Sequence, residues 1–149
     1  MAHTEDSPRY NDRQKGNPTM SHAPSPVIRA KGSVEAQAVP RCSSTTIQVL
    51  LGPEIGVPNF ITRQFTIEPG GRLPCHRHDS IEHEQVVLEG TMVIALDGRE
   101  SDVGPGDSVF IPAGVSHWYE NRGAVPVRFL CVVPHTEDYQ TEWLEPPEK

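Results

Sequence analysis

Between residues 45 and 133 apolar and polar positions alternate in short runs, and no stretch sustains helical spacing for three turns. Residues 45–51 (TTIQVLL) form a β-branched run stopped by Gly52-Pro53. Residues 59–68 (NFITRQFTIE) alternate over a longer strand, with Ile61, Arg63, Phe65 and Ile67 on one face. Shorter runs follow at 85–88, 91–96, 99–103, 108–111 and 127–133. Asp97-Gly98 between two of them is the signature of a two-residue type I′ turn. The 12 glycines and 15 prolines break the runs at intervals typical of a β-sandwich or barrel rather than of βαβ units. The fold expected is therefore all-β.

Organisation follows from the same pattern. Residues 1–26 are polar, aperiodic and rich in Pro, Ser and His, so they bury too little apolar surface to order and are expected to form a disordered arm. Residues 27–134 make one domain, whose first segment, to Pro40, runs along its edge. Residues 135–149 form an acidic, Pro-rich tail in which Tyr139, Trp143 and Leu144 are available to pack on the domain or on a partner. The net charge of −7 argues against nucleic acid or an anionic membrane as the main partner. No apolar run reaches membrane-span length, and no signal-peptide core follows Met1. Cys42, Cys75 and Cys131 are scattered and odd in number, which fits a reducing cytoplasm better than a disulfide framework.

The chemistry concentrates in residues 70–90, GGRLPCHRHDSIEHEQVVLEG, where His76, His78 and His83 fall within eight residues. His76 and His78 share a strand face, and a turn at Asp79-Ser80 would let a hairpin bring His83 to the same spot. Imidazole is the commonest protein ligand for Zn, Cu, Fe and Ni, so a metal site is the first expectation. Arg63, on an otherwise apolar face, has two readings: a strand-edge residue reaching to solvent, or an anion anchor inside a cavity. Cys75 and Cys131 read as small buried residues rather than ligands.

Two motifs in this region resemble those of the cupin family. The first, G-x5-H-x-H-x(3,4)-E-x6-G, finds Gly70, His76, His78 and Gly90; the second, G-x5-P-x-G-x2-H-x3-N, finds Gly106, Pro112, Gly114, His117 and Asn121 at every spacing. The resemblance covers about residues 47–134 and implies a jelly-roll barrel, the double-stranded β-helix of that family. One position departs from it. Where the family carries a glutamate ligand, only His83 satisfies both flanking spacings, and strand alternation turns Glu82 and Glu84 the other way. The chain is thus similar to small cupins with four histidines, a manganese-binding one from a hyperthermophile among them.

That resemblance implies one divalent transition metal, Mn or Fe ahead of Cu, Zn or Ni, on His76, His78, His83 and His117. It implies a small-molecule substrate and a homodimer. Four neutral imidazoles leave the metal its full charge, which suits anionic co-ligands. The function expected is oxidation, of dioxygenase type, of a small organic acid, enol or alkene. Arg63 would clamp a carboxylate, and Tyr119, two residues beyond His117, would wall the pocket or donate a hydrogen bond. A redox-neutral isomerase or lyase acting on a sugar acid is the second expectation, and a binding or sensing module without turnover the third.

Overall fold

The alternating runs become ten strands, and the alternation sets which side of each is buried. In the computed structural model, whose described residues are 24–149, these are β1 Gln37–Ala38, β2 Ser43–Leu51, β3 Phe60–Arg77, β4 His83–Glu89, β5 Met92–Leu96, β6 Arg99–Val103, β7 Ser108–Ile111, β8 His117–Glu120, β9 Val127–Pro134 and β10 Glu142–Trp143. The expected disordered arm, residues 1–26, lies outside the described residues up to position 23. Pro24–Pro26 are exposed and without regular structure.

All pairings are antiparallel, in the order β6-β5-β8-β3-β9-β4-β7, with β2 and β10 also bonded to β3 and β1 to β2. β3 is the pivot. Its first half pairs with β2 and β9, its second with β8 and β10. The sequence pattern ends this strand at Glu68, whereas the chain continues to Arg77 through a bend at Gly70-Gly71. Gly70 adopts φ +79°, and a Cβ on Gly71 would lie 2.8 Å from the Ser44 carbonyl oxygen, so both glycines are needed for the passage between layers. The sheet thereby curls on itself into the jelly-roll expected.

A second difference concerns residues 70–90. β3 and β4 do not pair as a hairpin; β4 lies between β9 and β7. Residues 79–82 instead cross from one side of the barrel to the other, and Ile81 plugs the core there at 1% exposure. The type I′ turn forms as expected: Asp97 and Gly98 have φ of 47° and 78°, and Leu96 pairs with Arg99.

β9 shows how alternation builds the interior. Val127, Phe129, Cys131 and Val133 are buried, while the residues between them are half-buried on the outer face. Each fully buried large apolar side chain contributes roughly 1.5–3 kcal/mol. Gly90 closes β4 at φ +71°, and a Cβ there would lie 2.5 Å from the Pro126 carbonyl oxygen. Gly90→Ala is therefore expected to cost about 2 kcal/mol or more, read as a fall in Tm of roughly 4–8 °C; an unchanged Tm would contradict this packing.

Candidate metal centre

Four imidazoles reach one region of the interior from both sides of the barrel. His76, on the second half of β3, sits opposite His117 on β8 as a cross-strand Cα pair, after a register shift that follows Leu73. His78 lies just past the end of β3, and His83 opens β4 from the facing layer. Ligating atoms of His76, His78 and His117 all lie within 4.8 Å of one another. His83 is not part of that trio, but its ring centre lies 5.0 Å from those of both His78 and His117. All four are buried. Along β4, His83, Gln85 and Val87 face in, while Glu82 and Glu84 are exposed, so neither glutamate points at the cluster.

Hydrogen bonds orient three of the rings. Nδ1 of His76 meets the Pro74 carbonyl at 2.7 Å, Nδ1 of His117 the Val115 carbonyl at 2.9 Å, and Nδ1 of His78 the Gln140 carbonyl at 2.9 Å. A carbonyl only accepts, so each Nδ1 carries the proton and each Nε2 keeps its lone pair. His83 differs: its Nδ1 is 3.5 Å from Arg63 Nη2 and 3.4 Å from Cys131 Sγ. Nε2 of His83 and of His117 is buried without any hydrogen-bond partner. Orphaned imidazole nitrogens converging in this way fit a divalent transition metal. Burial holds all four rings neutral: His76 is lowered to about 4, His117 to about 3 and His83 to about 2, with His78 also lowered. For His83, the neighbouring His117 and the Arg63 guanidinium add to the effect of burial. Neutral imidazole is the form that ligates.

The cluster opens into a cavity of about 170 Å³. Arg63 lines it, on the same side of β3 as Phe65. Its Nη1 donates to the Tyr139 hydroxyl at 3.0 Å and its Nη2 to Cys131 Sγ at 3.1 Å. Tyr119 lies behind His117, its ring 5.8 Å away, and accepts a hydrogen bond of 2.7 Å from Gln85 Nε2. Burial pushes the Tyr119 phenol well above its ordinary pKa, so it stays protonated. Cys131 is buried in the same wall. Cys75, expected to be buried, is half-buried and does not line the cavity, and Asn121 is structural: its Nδ2 donates to the carbonyls of Ile67 and Val125.

The tail packs on the barrel. β10 pairs with β3 beside His76 and Arg77. Trp143 tilts over His76 at 4.9 Å and Tyr139 lies 5.0 Å from His78. Thr141 Oγ1 is 3.2 Å from His78 Nδ1. Arg72 ties the end down through Glu145 and Glu148, each at 2.7 Å. Gln85, Thr141, Tyr139 and Trp143 thus join the site without a motif to announce them; the parity Gln85 shares with His83, and the apolar rings of Tyr139 and Trp143 in the tail, are the signals the sequence holds.

A curled antiparallel barrel with an inward histidine cluster defines a jelly-roll protein with the makings of a metal site. The cupin domain family matches residues 63–133. A polyketide cyclase from Streptomyces resistomycificus is 32% identical, with a TM-score of 0.76 over 83% of this chain and 89% of that one. An uncharacterized protein of Methanocaldococcus jannaschii is 33% identical over 102 residues, which cover 66% of this chain and 81% of that protein. The chain belongs to the cupin family. A mannose-1-phosphate guanylyltransferase of Escherichia coli is 30% identical over 76 residues, 51% of this chain but only 16% of that longer protein. Among the described residues no helix is long and apolar enough to cross a membrane.

Proposed function

We propose that His76, His78, His83 and His117 hold one divalent transition metal, Mn or Fe before Cu, Zn or Ni, and that the protein is an enzyme acting on a small enolisable organic acid. The reading rests above all on the buried Nε2 atoms of His83 and His117, which lack any partner in the wall of the cavity. When bound, the metal supplies Lewis acidity for a carbonyl or enol oxygen, with redox capacity added by Mn, Fe or Cu. Arg63 then draws the anionic end of the substrate into the cavity. The Tyr119 oxygen is engaged by Gln85, so its own proton is free to donate to a substrate oxygen. Tyr139 and Trp143 cover the site and limit water.

Two observations favour a redox-neutral reaction, an isomerisation or ring closure through an enolate, over the oxidation expected from sequence. The similarity to a polyketide cyclase spans most of both chains. Cys131 also puts a thiol 3.4 Å from His83 Nδ1, where oxygen chemistry would attack it. The homodimer remains part of the proposal, with Val86, Leu88 and Phe110 exposed on the outer sheet face.

The test is deuterium wash-in at the carbon beside the carbonyl in a panel of 2-oxo and 3-oxo acids, followed by NMR with and without O2, on protein of measured metal content. Metal-dependent exchange that ignores O2 is expected. Oxygen uptake in step with product would restore the dioxygenase reading, and binding without either would leave a sensing module.

A further inference from the structure

We infer that the cavity selects a one-ring aromatic or conjugated carboxylate, rather than a sugar acid, as its ligand. The inference deepens the proposed function and rests on the same cavity. Size comes first. A space of about 170 Å³ is close to the roughly 150 Å³ that encloses a benzene ring in an apolar protein interior. A single ring with one short acidic substituent therefore fills it, and a fused polycycle would have to extend through the mouth.

Chemistry of the wall decides between ligands of that size. Apart from Arg63, Gln85, Thr141 and the two tyrosines, the lining away from the histidines is apolar, with Ile47, Leu73, Phe65 and Phe129 facing the space. Phe65 and Phe129 stack at 5.2 Å and 9°, and Phe129 and Tyr119 at 5.4 Å and 17°, so three near-parallel rings make one aromatic side. Such a lining rewards a flat ring through dispersion and ring–ring contact. A sugar acid instead brings several hydroxyls, each of which must lose water and find a new partner. Most of the surface that the wall exposes is apolar, so such hydroxyls would meet few partners.

One charged group breaks the apolar wall, and it lacks a counter-ion. Among the described residues no carboxylate forms an ion pair with Arg63. Its Nε is a buried donor without a partner. Its Nη2 reaches the sulfur of Cys131 at 3.1 Å, which fixes the guanidinium in the cavity wall. A guanidinium in that position matches a carboxylate. Its Cζ lies 5.3 Å from the centre of the Phe65 ring, so a carboxylate held by Arg63 sits beside the aromatic side, and a ligand that uses both carries its charge on or near a ring. Benzoate and cinnamate have that shape; an acid on a long saturated chain does not.

The full-length protein, Co(II)-loaded and metal-free, would be titrated calorimetrically with benzoate, cinnamate and galacturonate after its metal content is measured. Benzoate and cinnamate are expected to bind at least 10-fold more tightly than galacturonate. Arg63→Met, checked for an unchanged melting temperature, should weaken the aromatic acids at least 10-fold and leave cobalt content as in the wild type. Galacturonate binding as tightly as benzoate would overturn the inference, and this comparison needs no variant. So would full benzoate affinity in a folded Arg63→Met protein. A chain that takes up no cobalt would sink the proposed function alone, because ring selectivity is still read in the metal-free protein. A chain that takes up cobalt but prefers the sugar acid would sink this inference alone.

Discussion

Replacing His83 with alanine is expected to lower affinity for Mn(II) or Co(II) at least about 100-fold, more than the effect typical of losing a mere orienting partner. Among the described residues its Nε2 is one of two buried imidazole nitrogens with nothing to bond, and its ring is 5.0 Å from those of His78 and His117. Glu82→Ala and Glu84→Ala should leave affinity near the wild-type value, since both side chains are exposed on the opposite face of β4. His83→Glu should restore binding with a shift toward harder cations. Competition against a chelator, with elemental analysis of the purified variants, reads all four. The alternative outcome has a structural basis as well. His76, His78 and His117 alone bring ligating atoms within 4.8 Å of one another. Tight metal binding by His83→Ala, lost in His76→Ala and His117→Ala, would make this a three-histidine centre with His83 beside it.

Acid should steeply destabilise the metal-free protein between pH 6.5 and 4. In the folded chain burial holds His76, His117 and His83 neutral down to about 4, 3 and 2, whereas in the unfolded chain a histidine takes up its proton near pH ~6.5. The unfolded state therefore binds more protons throughout that window, and stability falls as pH falls. Above about 6.5 neither state is protonated and the contribution is fully present. Three histidines that stay neutral together cost at most about 4 kcal/mol for each pH unit below that point. Two such units come to about 8 kcal/mol, a large share of the roughly 5–15 kcal/mol by which a domain is stable. Bound metal lowers the folded-state values further, so it should deepen the dependence in the same sense. Urea unfolding at pH 7.5, 5.5 and 4.5 measures the slope. Equal stability at the three values would mean that the rings are solvated or charged in the folded state.

Several features were legible in the chain because they depend on neighbours in sequence. Strand alternation alone turns His83, Gln85 and Val87 in and Glu82 and Glu84 out, and the observed burial of β4 follows it. The Asp97-Gly98 turn needs only two residues with positive φ, and both adopt it. Motif spacing carried the cupin likeness and marked His76, His78, His83 and His117, all of which are buried in one region.

Other features depend on contacts between distant parts of the chain, which no local pattern encodes. The expected hairpin between His78 and His83 does not form, because the bend at Gly70-Gly71 carries β3 into the layer of β8 while β4 pairs with β9 and β7. The imidazoles meet across the barrel rather than along a turn. Arg63 had two readings in sequence, since a strand of mixed parity offers both solvent and interior to a long side chain; its place in the cavity wall came from the closure of β9 and the tail around it. Residues 139–143 carry the same lesson. They show no periodicity, yet they wall the site, because ion pairs from Arg72 and the pairing of β10 with β3 hold them there. Alternation and turn chemistry are short-range and so survive in the sequence alone; the convergence of β3, β4, β8 and the tail on one cavity is long-range, and only the folded barrel creates it.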